Sequence, residues 1–141
     1  MDSPVPKNVQ ERLSELLAQS RAEDLSEVKQ RDPSGFTLSL AARFEYEVRQ
    51  GGFAQLLYNM QGNWLAELED MLIAASATVA QEYYVRAIQA CLSNKPEYRR
   101  FLASNFTDAN SVKDALHIVS IEYFAQKAPF AIEAAALLTS G

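Results

Sequence analysis

Two adjacent glycines, Gly51-Gly52, stand inside a stretch that otherwise reads as helix, and they constrain this chain more than any other feature. Glycine inside a helix costs about 1 kcal/mol relative to alanine. A pair of them, flanked by helical apolar spacing, therefore marks a change of direction. Upstream, Leu40, Phe44 and Val48 recur at intervals of four; downstream, Phe53, Leu56, Leu57 and Met60 recur at three and four. The spacing predicts one helix ending at Gly51, in the left-handed conformation that glycine tolerates. A second helix then starts at Gly52 with no side chain at the crossing, so that the two meet in a helix–helix corner. Glu47 lies one turn before Gly51 and flanks the buried seam. Its carboxylate is expected to accept from the free N–H groups at the start of the second helix. Asn59 and Gly62 supply the next stop.

The same reading extends along the chain. Val9, Leu13, Leu16 and Leu17 keep helical spacing, and Ala22, Leu25 and Val28 extend that helix or form another. Asp32-Pro33-Ser34-Gly35 reads as a turn. It divides an N-terminal helical arm, residues 1–36, from a main domain, residues 37–141, in which Thr37 is placed to cap the first helix. Asn63 is placed to cap a helix burying Trp64, Leu68, Met71, Leu72 and Ala75. A helix from about Val79 to Leu92 buries Tyr84, Ala87, Ile88, Cys91 and Leu92, so Cys91 reads as a small core residue. Asn94 with Glu97, and Ser111 with Asp114, have capping-box spacing. The helix after Ser111 is apolar on most sides and is expected to be the most buried. Its polar stripe is Lys113, His117, Ser120 and Lys127. Pro129 ends it or starts a last helix, whose Ala134-Ala135-Ala136 run permits close packing, a second copy of the chain included. No strand-like alternation and no repeat appears. The fold class is all-α: a compact single-domain bundle of about seven helices.

Composition narrows function by exclusion. With 141 residues and 48% hydrophobic content the chain can bury an ordinary core. It lacks an apolar run of membrane-spanning length and a secretory leader pattern, and its single cysteine excludes an internal disulfide. The expected location is cytoplasmic, with no membrane partner. There is no CxxC, no HExxH, no second histidine for a metal, no Gly-x-Ser-x-Gly elbow and no phosphate loop. Neither cofactor nor metal is expected, and the chain is not expected to be an enzyme. Net charge is −5, and residues 1–70, with 12 acids against 7 bases, carry the whole excess. Direct nucleic-acid binding, which requires Lys and Arg against phosphate, is disfavoured; a basic protein partner suits the chain better. The candidate acidic surface is Glu11, Glu15, Glu23, Asp24 and Glu27 on the arm with Glu67, Glu69 and Asp70 beyond it.

The glycine stretch resembles the DNA-mimic protein nineteen family, small bacterial domains of largely unknown function. Glu47, Gly51, Gly52, Phe53, Gln55, Asn59 and Gly62 match its pattern at the right spacing. Gln50 replaces the usual Asn, and Leu56-Leu57 replaces two aromatics. Ile121-Glu122-Tyr123-Phe124 followed by Pro129-Phe130 is similar to the family's closing segment, so the likeness covers about residues 37–131. It implies a compact all-α domain, a homodimer, and action by presenting carboxylates spaced like DNA phosphates to a DNA-binding regulator. The matched residues themselves read as mostly structural. Three functions stay open. The leading one is a non-enzymatic interaction or regulatory protein, an acidic inhibitor of a basic nucleic-acid-binding partner. The second is an immunity or antitoxin-like protein that blocks a toxin. The third is a small enzyme with Glu47, Tyr58 and Asn59 around a pocket at the Gly51-Gly52 corner.

Overall fold

The computed structural model of the chain describes residues 5–139. Among them every regular element is a helix: α1 Lys7–Ala22, α2 Leu25–Arg31, α3 Pro33–Met60, α4 Leu65–Ala74, α5 Thr78–Leu92, α6 Lys95–Ala103, α7 Ser111–Ala125, α8 Phe130–Glu133 and α9 Ala135–Thr139. The all-α class stands, with nine helices among the described residues instead of about seven. The arm is split because Asp24 caps α2, accepting from the Ser26 N–H. The C-terminal stretch is split at Ala134.

The long α3 is the axis of the molecule, in contact with α1, α2, α4, α7 and α9. Its start corrects the expected turn at residues 32–35. Asp32 is the N-cap, its carboxylate accepting from Gly35 N–H at 3.0 Å, and Pro33 occupies the first helical turn. Proline suits that place because its missing N–H would be unpaired there anyway. Thr37 does not cap; its hydroxyl donates to the Pro33 carbonyl. The expected corner takes another form as well. A single span runs from Pro33 to Met60, kinked where Gly51 (φ −144°, ψ 18°) and Gly52 (φ 70°, ψ −166°) leave helical geometry. The positive φ belongs to Gly52, not to Gly51 as the spacing suggested.

The arm packs into the core of the main body. Val9, Leu13, Leu16 and Val28 are buried in the same core as Phe36, Leu40, Phe44 and Val48. At the centre of that core Phe44 meets the rings of Phe53, Tyr84 and Phe130. Phe53, Leu56, Leu57 and Met60 are buried as their spacing predicts, and so are Leu68, Met71, Leu72, Ala75, Tyr84, Ala87 and Cys91. Leu92, counted with them, is exposed. Burial pushes the Cys91 thiol up to about 12, which keeps it protonated and unreactive. Caps shift by one residue at two places. Trp64, in left-handed backbone, precedes α4 instead of opening it, and Asn110, not Ser111, caps α7 by accepting from Lys113 N–H. Glu97 does not fold back onto Asn94. It crosses to α7, accepting from the Ser111 N–H and hydroxyl, and these bonds hold its carboxyl below the usual range.

The largest departure is α7. It is not buried on most sides: Val112, Leu116, Ser120 and Tyr123 face inward, while Ile118, Ile121 and Phe124 are 58%, 69% and 49% exposed. Ser120, expected on the polar stripe, is buried instead.

Candidate functional site

Six of the seven residues that carry the resemblance lie in α3, and the kink decides how they meet. The kink removes backbone partners from the start of its second limb, so the N–H groups there need acceptors from elsewhere. Ser120 of α7 supplies one: its Oγ accepts from Phe53 N–H at 2.8 Å and donates to the Leu116 carbonyl at 2.9 Å. A Cβ on Gly52 would run into the Ser120 side chain, whose own Cβ would stand 2.9 Å away. Gly52 is therefore required twice, for its positive φ and for the approach of α7.

Glu47, 8% exposed, is the hub on the other side of the kink. Its Oε2 accepts from Asn59 Nδ2 at 2.7 Å and from Gln55 Nε2 at 2.9 Å. The expected backbone N–H donors are thus corrected to two side-chain amides, one and two turns into the second limb. Gly51 makes room for this, since a Cβ there would stand 2.7 Å from the Gln55 Cβ. Glu47, Gly51, Gln55 and Asn59 form one unit that ties the first limb of α3 to the second by charge-assisted bonds. Arg43, one turn before Glu47, has its Nε buried without a hydrogen-bond partner. Gly62 stands apart in open space, where positive φ alone explains it.

The three residues of the catalytic reading separate. Asn59 joins Glu47, but the Tyr58 hydroxyl donates to the Ser104 carbonyl at 2.6 Å, with its ring against Phe101 and Phe106. His117 lies exposed on α7, and no group of three or more His, Cys, Asp or Glu able to hold a metal occurs among the described residues. As built, the hub holds a helix in shape.

The candidate acids divide into paired and unpaired groups. Glu11 faces Lys7, Glu15 faces Arg12, Glu23 faces Arg31 and Glu67 faces Lys29. Asp24 is occupied as a cap. Glu27, Glu69 and Asp70 have no ion pair among the described residues. The Lys29–Glu67 contact, 3.1 Å, links α2 to α4 through their side chains. The Lys29 ammonium also lies over the Trp64 and Phe36 rings, and its hydrogen bond holds the Glu67 carboxyl below the usual range. Burial, with a smaller contribution from the Glu69 carboxylate, raises the Tyr84 phenol, whose hydroxyl donates to the Leu65 carbonyl.

Two groups went unseen in the sequence. Ser120 was recoverable in principle, because a glycine at positive φ inside a helix leaves a donor that some hydroxyl must meet. A groove beside α7, lined by Val48, Tyr123, Phe124, Pro129 and Phe130, had no sequence signal. No helix is long and apolar enough to cross a membrane among the described residues. No curated protein and no solved structure matches the chain. The model of one family, described as DMP19-like protein, matches residues 32–138, beginning at the cap of α3.

Proposed function

The chain belongs to the DMP19-like protein family, and from that premise we propose that it is a non-enzymatic interaction protein that presents an acidic face to a basic, nucleic-acid-binding protein. The observation that supports this reading is the Lys29–Glu67 bridge. It joins the helix carrying Glu27 to the helix carrying Glu69 and Asp70, three acids not consumed by ion pairs among the described residues. Carboxylates held on rigid helices can occupy a groove built for phosphates, and such contact weakens as salt screens it.

The experiment is capture of partners from the native host on the immobilised full-length chain, with the triple variant Glu27→Lys, Glu69→Lys, Asp70→Lys in parallel. The reading expects basic nucleic-acid-binding proteins that elute with salt, are displaced by duplex DNA from their own side, and are lost from the variant. Captured proteins that are neutral or acidic and insensitive to salt would overturn it. One tight, salt-resistant partner encoded beside this gene would favour the immunity or antitoxin reading instead.

A second reading, self-association, is supported by the α7 face. Ile118, Ile121 and Phe124 recur at intervals of three along α7 and are all exposed, so they form a row of apolar side chains on one side of that helix. Sedimentation of the parent beside Ile121→Asp tests it: a parent dimer that becomes monomeric in the variant supports the reading, and a monomeric parent removes it.

A further inference from the structure

The groove beside α7 has a property that neither the acidic face nor self-association uses. It encloses about 420 Å³, within the roughly 300–1,000 Å³ of small-molecule sites. Its floor and walls are aliphatic and aromatic: Val48, Tyr123, Phe124, Pro129 and Phe130. Its charged residues are Glu45, Arg49 and Lys127. Arg49 faces Glu45 through its Nε edge at 3.6 Å, which leaves both terminal guanidinium nitrogens without a partner among the described residues. The Lys127 ammonium likewise has no partner among them. With Glu45 ionised and neutralised by Arg49, the groove carries one net positive charge on a chain of net −5.

Lys127 is held there against backbone preference. It takes a positive φ of 55° just past the end of α7, in the position after a helix that glycine or asparagine usually fills. A lysine at that point strains the backbone and gives the groove an ammonium. The fold alone would do better with glycine.

We propose that this groove binds a small amphipathic monoanion, a free carboxylate with an apolar chain or ring. The apolar part lies between Phe124, Pro129 and Phe130, and the carboxylate meets Lys127 and the free nitrogens of Arg49. One net positive charge matches one carboxylate. A dianion would meet the Glu45 carboxylate, and a cation would meet Lys127. The inference is independent of the acidic-face reading, since none of its residues belongs to that face.

The test is calorimetric titration of the full-length chain with sodium decanoate, kept below its micelle-forming concentration, with decanol and decyltrimethylammonium as matched probes. The expected result is one saturable decanoate site per chain, with decanol at least ~10-fold weaker and the cation without measurable binding. Lys127→Gly should weaken decanoate ~10-fold while melting at or above the parent temperature, because glycine relieves the positive φ. That pairing separates lost binding from lost folding. Arg49→Gln should weaken decanoate and leave decanol unchanged. Absence of a saturable site, equal affinity for decanoate and decanol, binding only when decanoate forms micelles, or undiminished binding by Lys127→Gly would each overturn the proposal. So would a second copy of the chain seated over the groove in solution, shown by decanoate binding only to a variant made monomeric.

Discussion

The inner side of α7 sends a hydroxyl, Ser120, into the core, while the outer side shows Ile118, Ile121 and Phe124 to solvent. Although Val112, Leu116 and Tyr123 are buried as an amphipathic helix requires, these four positions run the other way. The inner polar group is explained within the chain. The kink at Gly52 frees the Phe53 N–H, a buried donor without an acceptor costs about 1–3 kcal/mol, and Ser120 removes that cost. The outer apolar residues have no such explanation within one chain. A polar residue inside thus reports a backbone demand of the same molecule, whereas apolar residues outside report a demand that one molecule does not meet. Inner-face changes should therefore act on folding, and outer-face changes on association.

The change that breaks this comparison most severely is Gly52→Ala. It places a Cβ against Ser120 and forces a side chain into positive φ, so we expect a loss of about 3 kcal/mol or more in urea unfolding. A loss under ~1 kcal/mol would mean that α7 does not approach the kink closely. Next, Glu47→Gln should cost about 1–3 kcal/mol, because one carboxylate oxygen now satisfies two amides and a glutamine cannot replace it with equal strength. An unchanged melting temperature would remove the hub. Ser120→Ala should cost about 1–3 kcal/mol by stranding the Phe53 N–H. Its effect should be markedly smaller in a Gly52→Ala background, since both act at one contact.

A smaller effect sharpens the comparison at the groove. Burial raises the Glu45 carboxyl, against the opposing pull of Arg49. A raised folded-state value means that the protonated form is favoured by folding. This contribution is complete below the unfolded value, 4.5, and is lost as pH rises through the folded one. Glu45→Gln should therefore gain on the parent in melting temperature between pH 4 and pH 7. A parallel pair of curves would contradict the sign. Smallest of all, Ile118→Ser and Ile121→Ser should leave monomer stability within about 0.5 kcal/mol, while any self-association falls. A loss of several kcal/mol would place these side chains in the fold after all.

Much of this architecture was legible from local pattern. The helical class, the buried seams of α3 and α4 and the core position of Cys91 follow from spacing within one or two turns of chain, and the glycine pair marks the place where α3 leaves helical geometry. The misreadings have a common cause. Asp32 outcompeted Thr37 as a cap because Pro33 fits the first turn of a helix as well as it fits a turn between elements, which moved the start of α3 five residues upstream. Glu97 left its own capping box for Ser111 once packing brought α7 beside α6.

By itself the sequence determined that this chain is helical, acidic in its first half and bent at Gly51-Gly52, because helix propensity, charge and glycine conformation are properties of neighbouring residues. Tertiary structure alone decided which acceptors meet the kink, that Ser120 lies inward while Ile121 lies outward, and that Lys127 and Arg49 share the charged part of one groove. A helix with apolar residues on most sides has several faces fit for burial. Which of them is buried is set by what α3, α5 and α6 present to it, the Phe53 N–H 67 positions away included, and no local pattern carries that information.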